Sequence, residues 1–197
     1  MLIDALRTHL GDVVTVKAGH AFRGAIEEVP GGPVRVVQMK DMDPFDGVHW
    51  SGAICTRLSG RREADWLARD DILFVSKGTR FYATCLASVP AHAVCGPHLF
   101  HLRSRAPDEL LPNFLAWQIN QTPFQRELRR AAEGSSQLSV RRPVIEGLPI
   151  AIPSVADQQR IVEIARLALR ERQLHSQLIR NRERLFRSIA ESLAGNA

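Results

Sequence analysis

The stretch from Val155 to Leu193 contains neither proline nor glycine, and it constrains the fold more than any other part of the chain. Pro153 stops a helix from extending further towards the N-terminus. Ser154 is a suitable N-cap, and Asp157 complements the positive end of the helix dipole. We therefore predict one helix of about 39 residues, which at roughly 1.5 Å per residue is about 58 Å long.

Apolar side chains recur along this segment at steps of three and four, or at multiples of these steps, and so form one stripe. An apolar stripe of this length must be buried against another surface. The sequence favours a coiled-coil partner over a helix folded flat on its own domain, and polar interruptions such as Glu171 and His175 favour a partner of defined register. The large residues of the predicted partner face are Ile161, Ile164, Leu167, Leu174, Leu178, Leu185 and Ile189.

Length and charge limit the organisation of the rest. Residues 1–153 are long enough to bury a core, so we predict one globular domain there and a helical appendage over residues 154–197. The net charge of +5 is compatible with a nucleic-acid partner without requiring one. The three cysteines show no CxxC pairing, no apolar run approaches membrane-spanning length, and no signal sequence is evident. We therefore expect a cytoplasmic protein with no membrane partner.

Within the domain, short β-rich runs alternate with turn signals, and proline-started helical segments follow them. This pattern predicts an α+β domain of mixed short strands and helices, followed by the long C-terminal coiled-coil helix. Helices are predicted over residues 2–10 and within 107–130, and strands over 13–16, 34–39, 72–75, 81–86 and 93–103.

Loops rich in hydrogen-bond donors are the predicted binding sites. An apolar strand delivers a glycine-containing loop that carries hydroxyls and cations, the set needed for phosphate and base-edge contacts. It lacks the Walker spacing, and an ordinary hairpin turn remains an alternative. Lysine or arginine suits guanine, and glutamine suits adenine. The predicted DNA-binding residues are Lys17, His20, Arg23, Lys40, Ser76, Lys77, Thr79, Arg80, Ser135 and Gln137.

The sequence predicts neither a catalytic centre nor a cofactor or metal. There is no cofactor-binding glycine fingerprint after a strand and no methyltransferase or nuclease motif. Four potential zinc ligands recur at every third position across a predicted loop and strand: His92, Cys95, His98 and His101. Residues three apart on a strand face opposite sides, which argues against convergent ligation.

Taken in order, several segments resemble one target-recognition domain of the specificity (S) subunits of type I restriction–modification systems. The resemblance covers almost the whole chain. Its segments are Leu10–Val13 with Lys17 and Gly19, Val34–Met42, Asp71–Thr79, Leu111–Phe124, Gly134–Gln137, and Leu148–Pro153 leading into Asp157–Val162.

The resemblance implies a DNA-reading role without catalysis, because the family leaves methyl transfer and cleavage to separate methyltransferase (M) and restriction (R) subunits. The usual S subunit has two recognition domains and paired antiparallel helices. This chain has room for one of each and resembles a half-subunit. It would then form a homodimer that reads a bipartite inverted-repeat site in double-stranded DNA and tethers the M and possibly R subunits.

Two alternatives from other classes stay open at this point. One is a DNA-independent assembly protein of a defence system, whose helix docks a partner. The other is a small metal-binding nuclease or regulator built around the histidine and cysteine set above. Salt-dependent DNA binding separates the first from a DNA reader, and elemental analysis tests the second.

Overall fold

A computed structural model describes residues 5–58, 63–134 and 137–195. It divides into two compact units, Met1–Gln159 and Arg160–Ala197. In chain order, the described residues form β1 (Ala5–His9), α1 (Leu10–Val13), β2 (Val14–Ala18), β3 (Val34–Val37), β4 (Met42–Asp43), β5 (Gly47–Val48), β6 (Ile54–Thr56), β7 (Ile72–Val75), β8 (Tyr82–Cys85), β9 (Ala93–Cys95), β10 (Leu99–Ser104), α2 (Pro112–Ile119), α3 (Thr122–Ala131), α4 (Arg142–Glu146), β11 (Pro149–Pro153) and α5 (Val155–Gly195). Short 3-10 helices lie at Met39–Asp41 and Trp50–Gly52.

Two sheets form the body of the first unit. The larger is antiparallel, in the strand order β2-β10-β7-β8. The smaller has the order β6-β3-β9, with β3 antiparallel to β6 and parallel to β9. Two strand pairs, β1 with β11 and β4 with β5, complete the described sheet structure. The α+β organisation predicted from the sequence is confirmed.

The core explains why β7 is an uninterrupted apolar run. All four of its residues are buried, as expected for a central strand covered on both faces. Leu73 and Val75 of β7, with Leu99 of β10, belong to the same buried cluster as Val37 and Cys95 of the smaller sheet. The two sheets therefore share a core, and their strands end together at the loops described below.

Two sequence predictions about the strands were wrong. The segment predicted as a helix over residues 2–10 instead contributes β1. It is a strand because it pairs with β11 in antiparallel register, with Ala5 opposite Pro153 and His9 opposite Pro149. The single strand predicted over 93–103 is two strands, β9 and β10, which belong to different sheets. The turn between them contains Pro97, which offers no N–H to a ladder.

The long helix is confirmed. α5 begins at Val155, and the hydroxyl of Ser154 accepts a hydrogen bond from the backbone N–H of Asp157 at 3.2 Å. Its first turn belongs to the first unit, where Gln158 is fully buried and its side-chain amide donates to the carbonyls of Glu109 and Pro153. No helix among the described residues is long and apolar enough to cross a membrane.

Candidate nucleic-acid interface

Several strands of the first unit end at one common edge. β2 ends at Ala18 opposite Phe100, near the start of β10, and β7 ends at Val75 opposite Leu99 and Tyr82. In the smaller sheet, β3 and β9 run parallel and both end there. We call this the loop edge. It is defined by the polar side chains that follow or precede these strand ends, His20, Lys40, Lys77, Thr79, Arg80 and His98, and by Gln137 on a second loop that pairs with the loop after β7.

His20 is held at the loop edge by close backbone packing. Its N–H donates to the carbonyl of Cys95 at 2.7 Å, and the preceding Gly19 donates to Leu99 at 2.9 Å. A Cβ on Gly19 would lie 1.9 Å from the carbonyl oxygen of Gly96, so only glycine allows this approach. The imidazole of His20 makes an edge-to-face contact with Phe22, with ring centroids 4.9 Å apart.

The loop after β7 meets a second loop from far along the chain. Lys77 bridges Ser139 in antiparallel fashion, and Gly78 donates from its N–H to the carbonyl of Leu138 at 2.9 Å. Thr79 and Arg80 are exposed on the first loop, and Gln137 is exposed on the second. The structure thus brings together Lys77, Thr79, Arg80 and Gln137, although about 60 residues separate the two loops in sequence.

Lys40 reaches the same edge through the smaller sheet. It lies exposed in the 3-10 helix that follows β3, and the end of β3 is fixed because Gly96 donates to the carbonyl of Val37 at 2.8 Å. On the other side, the hydroxyl of Tyr82 donates to the carbonyl of Met42 at 2.9 Å. Lys40 is therefore carried between the turn after β9 and the start of β8.

Three predicted binding residues are not part of this group, and a fourth falls outside the described residues. Ser76 is buried at 6 % exposure, so it is removed from the predicted contact residues. Lys17 is exposed on β2, and its ammonium forms an ion pair with the carboxylate of Asp65. Arg23 is exposed farther along the loop after His20, where the contacts of the described residues do not tie it to the loop edge. Ser135 lies outside the described residues.

A buried polar cluster fixes the strands that carry the loop edge. The carboxylate of Asp71, at the start of β7, accepts two hydrogen bonds from the guanidinium of Arg103, each 2.6 Å long. It also accepts the N–H of Ala68 at 2.7 Å, and Nε2 of His101 lies 2.8 Å away. Burial alone would raise the pKa of Asp71, but these hydrogen bonds outweigh it and lower the pKa to about 2.

The histidine and cysteine set considered for zinc is spread over different environments. His101 lies beside Asp71, His92 contacts Trp66 edge-to-face, and His98 faces the loop edge. Cys95 is buried, which raises the pKa of its thiol to about 12. Among the described residues, no group of three or more potential ligands is arranged to hold a metal ion.

The second unit presents the predicted apolar face. Ile164, Leu167, Leu174, Leu178, Leu185 and Ile189 are between 43 % and 67 % exposed, and Ile161 is half-buried. Two large exposed residues that the sequence prediction omitted, Ile179 and Phe186, belong to the same surface. At about 100° per residue, the nine side chains fall within an arc of about 140°.

One polar residue of the loop edge was also missed. The sequence pattern groups His98 with the potential zinc ligands, and the predicted continuous strand over residues 93–103 places it mid-strand. It lies instead at the tip of the turn between β9 and β10. The signal that was available in the sequence is Gly96-Pro97, a dipeptide that marks a turn.

Comparisons with known proteins bear on the fold. No family model matches the sequence, and a comparison with curated proteins found no match. Solved structures are similar. The S subunit of a type I restriction–modification system from M. genitalium has a TM-score of 0.56 at 16 % identity, over 82 % of this chain and 38 % of that one.

Two further structures give the same result. The HsdS subunit from Thermoanaerobacter tengcongensis has a TM-score of 0.57 at 18 % identity, over 86 % of this chain and 40 % of that one. A chain from a study of assembly and conformational transition in the type I system has a TM-score of 0.56 at 17 % identity, over 87 % and 38 %. This chain spans about two fifths of their length, and it shares their fold.

Proposed function

We propose that this chain, whose fold is that of type I restriction–modification S subunits, is a non-catalytic, sequence-specific DNA-recognition subunit. The observation that carries the proposal is the loop edge. Loops from five regions of a chain with this fold meet there and carry ammonium, guanidinium, hydroxyl, amide and imidazole groups. Donors from separate loops that converge on a rigid sheet are the arrangement that base-edge and phosphate contacts require.

The chemistry of the loop edge divides between positioning and readout. Lys40 and Lys77 suit phosphate oxygens as point charges, and Arg80 suits either phosphate or the O6 and N7 atoms of guanine. Gln137 can form the paired hydrogen bonds that recognise adenine in the major groove. Thr79 can donate, accept or contact a thymine methyl group. We therefore propose that the loop edge enters the major groove of double-stranded DNA.

The helix supports the second part of the proposal, a homodimer. A helix of 41 residues is about 60 Å long, and its apolar face is wide and exposed. Exposed apolar surface of this extent marks an interaction site. We propose that two copies pair through this face as an antiparallel coiled coil, because two-fold pairing makes the same surface serve both chains.

A dimer of this kind would read two half-sites in inverted orientation. The helix pair would set the distance between them, as the half-site spacing of other dimeric readers follows from their geometry. We further propose that the complex tethers a methyltransferase subunit, and a restriction subunit where one is present, in the cytoplasm. The chemistry then belongs to those subunits.

Selection of binding sites from random DNA by the purified chain tests the proposal. We expect a bipartite inverted repeat with a fixed gap, binding that weakens steeply as salt rises, and twice the monomer mass in sedimentation. A dimer that shows no salt-dependent DNA binding would instead favour the assembly-protein alternative.

Changing the helix length tests the spacing directly. Duplicating the heptad Leu178–Arg184 keeps the apolar stripe aligned and lengthens α5 by about 10.5 Å. At about 3.4 Å per base pair, we expect the selected gap to grow by about three base pairs. Deleting the same heptad is the matched variant and should shorten the gap equally. An unchanged gap in both variants would refute the role of the helix as a spacer.

A further inference from the structure

His98 has a backbone conformation that histidine adopts at a cost. Its φ is +69°, in the left-handed region where the Cβ of an L-residue is crowded. The neighbouring loop after β7 uses a glycine, Gly78, for its own positive φ of +117°. Of the described non-glycine residues, Asp70 and His92 also have positive φ, but they precede β7 and β9, at the opposite end of those strands. His98 is the one that lies at the loop edge.

The conformation is held from both sides. The carbonyl oxygen of His98 accepts two hydrogen bonds from the buried Ser76, from its N–H at 3.0 Å and from its hydroxyl at 2.8 Å. The next residue, Leu99, is buried and paired with Val75 at the start of β10. The backbone is therefore clamped, while the side chain of His98 remains exposed. A strained residue that is fixed by its surroundings is typical of functional positions.

The imidazole of His98 has chemistry that the nearby Lys77 lacks. Partial desolvation and the nearby Lys77 ammonium lower the pKa of His98 below its ordinary value of 6.5, so the neutral ring predominates at pH 7. A neutral imidazole has one N–H donor and one acceptor nitrogen. It can therefore accept from the amino group of adenine or cytosine, as well as donate to guanine or thymine. Lys77 offers only donors and suits the phosphate backbone.

We propose that His98 is a specificity-determining residue that contacts a base edge, and that Ser76 is the positioning residue that holds it there. The inference rests on the proposed DNA-recognition function and deepens it. It also reverses the sequence prediction for this pair. Ser76 was predicted to contact DNA and is instead buried behind the loop edge, whereas His98 is presented by it.

The alternative is that His98 is only a turn residue. The two hypotheses predict the same stability for His98→Gly but opposite effects on its sequence preference. Glycine adopts positive φ freely, so this variant relieves strain and its thermal midpoint should be no lower than that of the wild type. A base-contacting role predicts that the same variant nonetheless loses sequence preference. His98→Asn is the second variant, because asparagine tolerates the conformation and keeps a donor and an acceptor.

The experiment is site selection from random DNA by wild type and both variants, followed by titration of the selected site against a scrambled one. We expect His98→Gly to lower the ratio of the two affinities about tenfold or more, with preference relaxed at one base position of each half-site. The dependence of affinity on salt should stay unchanged, because no phosphate contact is removed. His98→Asn should shift the preferred base at that position.

Ser76→Ala tests the positioning role. Alone, it should lower the same ratio; in the His98→Gly background, it should lower it no further, since its effect passes through His98. The inference is overturned if His98→Gly selects the wild-type motif with the wild-type ratio, or if Ser76→Ala is fully additive. If the wild type itself selects no motif, the proposed function fails and this inference fails with it.

Discussion

Replacing Asp71 with asparagine removes the charge that ties β7 to β10 at the end of these strands away from the loop edge. Asp71 is 2 % exposed and accepts paired 2.6 Å hydrogen bonds from Arg103. Breaking a buried ion pair by removing one partner typically costs about 3–5 kcal/mol. Half of the Arg103 side chain is exposed, so water can solvate the released guanidinium. We therefore expect a loss near the lower end, about 3 kcal/mol, in the free energy of unfolding.

The pKa of Asp71 gives a second measure of the same interaction. It falls from an ordinary value of 3.8 to about 2 in the folded chain. A difference of about 1.8, at about 1.36 kcal/mol for each pH unit, corresponds to about 2.4 kcal/mol. Because the folded pKa is the lower one, this stabilisation is complete above about pH 4 and is lost as the pH falls through about 2.

Urea unfolding between pH 7 and pH 2.5 measures both effects. The wild type should lose stability steeply below pH 4, and Asp71→Asn should lack most of that dependence. Asp70→Asn is the matched control, because Asp70 is exposed and lies 3.8 Å from Arg69; we expect a change below about 0.5 kcal/mol. A cost below about 1 kcal/mol for Asp71→Asn, or parallel pH curves for wild type and variant, would refute the reasoning.

Three further predictions concern single side chains. Asp65→Asn releases Lys17 from its ion pair, so affinity for non-specific DNA should rise. The slope of log affinity against log salt should steepen by about 0.9, and an unchanged slope contradicts this. Leu178→Glu places a charge in the apolar face of α5 and should raise the dimer dissociation constant at least tenfold in sedimentation, whereas Gln177→Glu, on the other side of the helix, should not. Burial raises the pKa of the Cys95 thiol to about 12, so Cys95 should react with iodoacetamide at pH 8 only when urea unfolds the chain. Rapid labelling of Cys95 in the folded protein, seen by mass spectrometry, would count against this.

Much of the fold was predictable because its signals are local. Pro153, Ser154 and the absence of helix breakers define the start and extent of α5, and both are found in the structure. The apolar run of β7 likewise predicts a buried strand, and the hydroxyls and cations after it predict a binding loop. Ile179 and Phe186 widen the predicted apolar face, which the sequence traced too narrowly along one line.

The errors arose where tertiary pairing decides the structure. β1 has no strong strand signal of its own and is a strand because β11, about 140 residues later, pairs with it. The turn between β9 and β10 was missed because apolar residues continue on both sides of it. That error also misplaced His98 and hid the role of Ser76. The Ser76 hydroxyl would face solvent in a simple hairpin, but here it donates to the carbonyl of His98.

We propose that one recognition domain and one helix form half of a two-fold DNA reader. Selection from random duplex DNA by the purified chain, at a concentration where sedimentation shows its oligomeric state, tests this most directly. We expect a dimer that enriches an inverted repeat of two short half-sites with a constant gap. A protein that stays monomeric and enriches no motif, or one that enriches only a single undivided motif without symmetry, would contradict the claim.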